Sequence, residues 1–148
     1  MRYLPLLFLT LLPGCTPTAQ PGPPTASETS AARPGLQDRI AFLEQYVTFR
    51  RSYVELEYAV DYQNNGGGRV PGPSDWDIQI VAVVPPAEVD DWLPSAVTKM
   101  EQPPPEWVKN TASGIASDEI TEWYTEGNSI TVGVDRQTST IAYRNVNY

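Results

Sequence analysis

From Val54 to Tyr62 the chain reads VELEYAVDY, so Val54, Leu56, Tyr58, Val60 and Tyr62 alternate with Glu55, Glu57, Ala59 and Asp61. Successive side chains of a strand point to opposite faces, and period two therefore puts one apolar face on a core and the other in water. A helix would scatter the same residues around its circumference. The fold must contain a sheet. A second run, WDIQIVAVV over 76–84, places Ile78, Ile80, Ala82 and Val84 on one face. Val81 and Val83 lie on the other face, which predicts a more central strand. Ile120 to Tyr124, Ile130 to Val134 and Thr140 to Val146 are separated by turns at Glu126-Gly127-Asn128 and Asp135-Arg136-Gln137. They predict a three-stranded meander.

Ahead of these strands, Leu36, Ile40, Leu43 and Val47 recur at spacings of four, three and four, one face of a helix. Phe42 and Tyr46 widen that stripe. After Pro85-Pro86, AEVDDWL predicts a short helix with Val89, Trp92 and Leu93 inward, stopped by Pro94. Residues 95–118 carry no sustained period, and Pro103-Pro104-Pro105 opposes regular pairing there. The expected fold is a single α+β domain over 36–148, an N-terminal helix packed on a mainly antiparallel sheet of about five strands. A helix wrapped by a bent sheet, as in cystatin-like folds, is one topology of this kind, and a small barrel or sandwich is the alternative.

The start of the chain, MRYLPLLFLTLLPGC, has one basic residue, Arg2, followed by an apolar run from Tyr3 to Leu12. That run is too short for the roughly 20 residues of a spanning helix and fits the apolar core of a secretory signal. Leu12-Pro13-Gly14-Cys15 resembles the bacterial lipoprotein signal: leucine at minus three, a small residue at minus one, then the cysteine that is lipidated. Pro13 departs from the usual residue at minus two. The resemblance implies a signal peptide over 1–14, removed by signal peptidase II, and acyl chains (diacylglycerol and often a palmitate-like amide) on Cys15. Thr16, rather than Asp, favours the outer membrane, with the domain facing the periplasm or the exterior. A plain secreted protein with a free cysteine is the rival. Residues 15–35, rich in Pro, Ser and Thr, are expected to form a tether of up to roughly 60 Å.

The inventory of reactive side chains is narrow. The 148 residues include no histidine and one cysteine, which excludes histidine-based triads, histidine-ligated metals and an internal disulfide. A formal charge of -8 opposes nucleic acid as a partner. No cofactor or metal is expected. There is no Ser-x-x-Lys and no Gly-x-Ser-x-Gly, and Asn64–Gly68 lacks the Gly-Lys-Ser/Thr ending of a phosphate loop. Asp75 and Asp77 flank Trp76, and Asp90 and Asp91 follow in the next element. Paired carboxylates beside an aromatic wall could hydrolyse a glycosidic bond or help bind calcium, but Asp75 and Asp77 share a strand face opposite Trp76, which predicts ordinary solvent-facing or turn roles.

The tryptophans are the strongest candidate binding residues. Trp76, Trp92, Trp107 and Trp123 are spread through the domain. Large aromatics fill cores, and exposed together they stack on sugars or anchor proteins. Trp92-Leu93-Pro94 and Pro105-Glu106-Trp107 bracket the irregular stretch, which predicts a groove between Trp92, Pro94 and Trp107. The functional expectation is a membrane-anchored, non-enzymatic domain binding an envelope protein or other envelope component, such as an assembly accessory. A carboxylate-based glycan hydrolase or glycan-binding module is the alternative.

Overall fold

The computed structural model describes residues 22–66, 72–95, 97–101 and 105–148. The expected signal over 1–14, the lipidation site Cys15 and tether residues 16–21 lie outside the described residues. Seven strands form one antiparallel sheet in the order β1-β2-β3-β7-β6-β5-β4. They are β1 (Ala26–Thr29), β2 (Glu55–Gln63), β3 (Asp75–Val83), β4 (Thr98–Met100), β5 (Glu122–Glu126), β6 (Ile130–Asp135) and β7 (Thr140–Asn147). Two helices, α1 (Leu36–Leu43) and α2 (Glu106–Thr111), accompany 3₁₀ turns at Ser30–Ala32 and Pro86–Trp92. Among the described residues no helix is long and apolar enough to cross a membrane.

The antiparallel α+β architecture holds, but the sheet has seven strands instead of about five. Both added strands come from segments without hydrophobic period. β1 lies inside the expected tether and pairs with β2 from Ala26↔Tyr62 to Thr29↔Ala59. Backbone pairing holds it, helped by Glu28, whose carboxylate accepts from Arg33 Nε (2.6 Å) and from the Tyr58 hydroxyl (2.9 Å). Ala26–Thr29, within the stretch expected as tether, are thus a strand of the sheet. β4 and α2 both fall within the stretch expected to be irregular. Pro105 stands immediately before α2, where its fixed φ suits a helix start and its missing N–H costs nothing.

β3 is central, as its two apolar faces predict. It is flanked by β2, with Tyr58↔Ile80, and by β7, with Ile80↔Tyr143. The sheet divides two cores. On one face α1 and the 3₁₀ turn at 86–92 cover Leu56, Tyr58, Val60, Ile78, Ile80, Ala82, Val132, Val134, Ile141 and Tyr143, with Phe42, Leu43, Val89 and Trp92 pressed down from above. On the other, α2 and the following loop cover Val81 and Ala142 with Val108, Ile115, Ile120 and Trp123. α1 is shorter than its stripe suggests: it ends at Leu43, and the chain continues through turns in which Tyr46 and Val47 donate to the Leu43 carbonyl.

The face of β2 expected to be wet also changes at one position. Glu57 is 7 % exposed. Its carboxylate accepts from Ser113 Oγ (2.9 Å) and from the Gly114 backbone N–H (3.1 Å), pinning the loop after α2 to the sheet. A buried carboxylate persists when such donors replace its water.

Candidate functional site

The structure separates the expected groove residues. Trp92 belongs to the α1 face, and Trp107 packs on the α2 face with the sheet between them. Among the described residues no groove joins Trp92, Pro94 and Trp107. Trp92 is 4 % exposed and surrounded by rings, with Phe49 at 5.4 Å, Tyr143 at 5.9 Å and Tyr53 at 6.0 Å, all edge-on. Its Nε1 has no oxygen or nitrogen acceptor. The surrounding rings offer it only the weak N–H···π type of partner. Trp123 is fully buried, and its Nε1 donates to the Ile120 carbonyl at 3.2 Å. Trp107 meets it edge-on at 6.5 Å. Both act as core.

Trp76 stands apart from these three. It begins β3 directly opposite Tyr62 of β2, and the two rings lie nearly parallel at 6.4 Å. Its Nε1 donates to Asn145 Oδ1 (3.1 Å), an amide brought alongside by β7. Above this pair runs the segment that follows α1. Tyr46 tilts against Tyr62 at 5.4 Å, while Phe49 meets Tyr143 edge-on at 5.5 Å. The sheet floor and this segment do not close on each other. They leave an open cleft of about 300 Å³ whose walls include Tyr46, Phe49, Tyr62, Trp76, Tyr143 and Asn145. Gln45, Thr48 and Pro23 stand on its rim, and Ile78 on its floor.

Two properties define what this cleft can do. First, among the described residues its lining contains no ionisable acid or base other than phenols. Burial pushes the Tyr46 hydroxyl above its ordinary value, and burial does the same for Tyr143, so both remain neutral donors at physiological pH. Second, the lining combines ring faces with the carboxamides of Gln45 and Asn145. Aromatic surface with a few oriented polar groups is the usual chemistry of a binding cleft. A second hollow of about 200 Å³ adjoins it across Phe49 and Tyr143, and is walled by Trp92, Leu93 and Pro94 with Arg51, Asp91 and Glu126 at its edge. Trp92 and Pro94 thus border a surface on the α1 side, without Trp107.

The acidic pairs do not converge. Asp77 is held bidentately by Arg144 (2.9 and 2.7 Å), within a chain that continues through Gln79 to Thr111. Asp75 accepts from Asn65 Nδ2 (3.2 Å), Asp90 pairs with Arg136 (2.6 Å), and Asp91 is exposed. None of the four lines the aromatic cleft. Among the described residues no cluster of three or more acidic or cysteine side chains is arranged to hold a metal. Of the cleft residues sequence reasoning named Trp76 alone as a site candidate and missed Gln45, Tyr46, Phe49, Tyr62, Tyr143 and Asn145. Tyr46 was visible only as a shoulder of the helical stripe, and Phe49 follows it in a segment without period. No protein-family model, curated protein or solved structure matches the chain.

Proposed function

We propose that this chain is a lipid-anchored binding domain of the bacterial cell envelope, held through Cys15 to the outer membrane, and that its contact surface is the aromatic cleft between the 45–49 segment after α1 and the β2–β3–β7 floor. The observation that carries this reading is the convergence of five rings on an open, uncharged cavity that the protein's own core leaves unfilled. Half-exposed aromatic walls cost solvation unless a partner covers them, and such rings dominate the energetics of recognition. The ligand is an uncharged portion of an envelope component, because a charged group would find no counter-charge in the lining. The absence of carboxylates from the cleft supports binding rather than hydrolysis.

The carboxamides beside the rings favour a second form of this reading, a neutral sugar stacked on Trp76 or Tyr62 and hydrogen-bonded by Asn145 and Gln45. Chemical-shift mapping with solubilised envelope material tests the cleft. Shifts should concentrate on 45–49, Tyr62, Trp76 and Asn145; shifts centred on Trp107 would overturn the assignment. Titration with a neutral N-acetylated oligosaccharide separates the sugar reading, since it should perturb Trp76 emission and lose that effect in Trp76→Ala. Intact-mass analysis tests the anchor: it expects residues 1–14 removed and Cys15 acylated.

A further inference from the structure

We infer that the cleft end of the domain rests on the bilayer to which the chain is anchored, with Trp76, Tyr62 and Tyr46 docked at the lipid headgroup boundary. This rests on the anchor reading for Cys15. Three independent features converge on one end of the molecule.

The first is the leash. The Pro/Ser/Thr-rich stretch would let a domain starting at residue 36 stand up to roughly 60 Å from the lipid. In the fold the chain is already captured at its residue 23. Asn64 Nδ2 donates to the Pro23 carbonyl (2.7 Å), the Asn64 N–H donates to Thr25 Oγ1 (3.0 Å), and β1 pairing follows. Only seven residue steps separate Cys15 from Gly22. Fully extended they span about 25 Å, whatever their conformation.

The second is where the leash attaches. Pro23 is on the rim of the aromatic cleft. Tyr62, Trp76 and Tyr46, all half-buried, stand beside it. Tyrosine and tryptophan, apolar bodies with one polar tip, are the side chains that partition to the membrane–water boundary.

The third is charge. Cleavage before Cys15 would leave 18 acidic against 9 basic side chains. A surface this acidic is repelled by anionic lipid, so a docking face must be locally uncharged, and the cleft lining is. The rings therefore engage the uncharged ester level and the upper acyl chains of lipids that carry no net charge. A short leash keeps their effective concentration at the bilayer high.

The full lipidated protein, reconstituted in phosphatidylcholine vesicles with brominated acyl chains, tests this directly. Bromine quenches tryptophans in contact with lipid. Trp76 is one of four tryptophans, so the wild type should lose roughly a quarter of its emission. Trp76→Phe should lose none, and Trp107→Phe should be quenched like the wild type. Tyr46→Ser, with Trp76 retained, should also weaken quenching and covers the case in which Trp76→Phe misfolds. Replacing half the lipid by phosphatidylglycerol should reduce the effect. Equal emission in brominated and plain vesicles, with Cys15 acylated, overturns the inference while leaving cleft binding, mapped by chemical shift, intact. An unacylated Cys15 overturns the anchor and this inference together.

Discussion

The two faces of the sheet use the same residue types to opposite ends. On the α2 face, Trp123 is sealed: Ile120 accepts its N–H, Trp107 closes it from the side, and Gly133 lies beneath its six-membered ring. The polar residues of that face are equally closed, Glu57 by the 113–114 loop and Asp77 by Arg144. On the α1 face, Trp76 is paired with Tyr62 and Asn145 yet left half-open, and the rings above meet Tyr62 and Tyr143 without filling the cleft beside it. An indole marks a site only where the surrounding layer fails to cover it.

This contrast can be broken by mutation, beginning where the cost is greatest. Trp123→Ala should destabilise the domain by about 3–5 kcal/mol, because no space or solvent replaces the lost contacts. Denaturant unfolding measures it, and envelope binding by the surviving folded fraction should be unchanged. Gly133→Ala should cost about 1–3 kcal/mol. A Cβ there would stand 2.6 Å from Trp123 Cη2 and 2.7 Å from Ile120 Cγ2, and neither neighbour has room to retreat. Trp76→Ala reverses the order of effects: about 1–2 kcal/mol of stability by the same unfolding assay, with loss of envelope binding by shift mapping. If Trp76→Ala proves as destabilising as Trp123→Ala, the two faces do not differ as argued.

The smallest effect concerns the edge strand β1. The Arg33 hydrogen bond holds the Glu28 carboxyl below its ordinary value near 4.5, against the opposing effect of burial and with help from the Tyr58 hydroxyl. A depressed folded pKa means that this contribution is complete above the ordinary value and is lost as pH falls through the folded one. Hydrogen-exchange protection of Ala26–Thr29 should therefore fall on acidification before that of β3. Glu28→Gln should remove the pH dependence of that protection.

Those predictions also show which parts of the molecule were legible in the sequence. β2, β3 and the β5–β6–β7 meander were readable, because each buries at least one face and period two records that burial. β1 was hidden: ASET has no large apolar residue, and an edge strand needs only its backbone and one well-placed carboxylate. β4 and α2 were hidden for a related reason, since three strand residues and six helical ones are too few to show a period. The candidate site was half visible. Trp76 was one of four candidate indoles and not the preferred one, and the cleft depends on Tyr46 and Phe49 arriving from a segment whose path is set by the early end of α1. Trp92 and Trp107 looked like neighbours across an irregular stretch. They lie on opposite sides of a sheet, a separation that spacing along the chain does not encode.

The claim that one face carries function is tested most directly by site-specific photocrosslinking in the native envelope. A photoreactive residue at Thr48, exposed on the cleft rim, is compared with one at Lys109, exposed on α2. The account predicts a discrete crosslinked product from position 48 that disappears with Trp76→Ala, and none from position 109. A product from position 109 alone would contradict it.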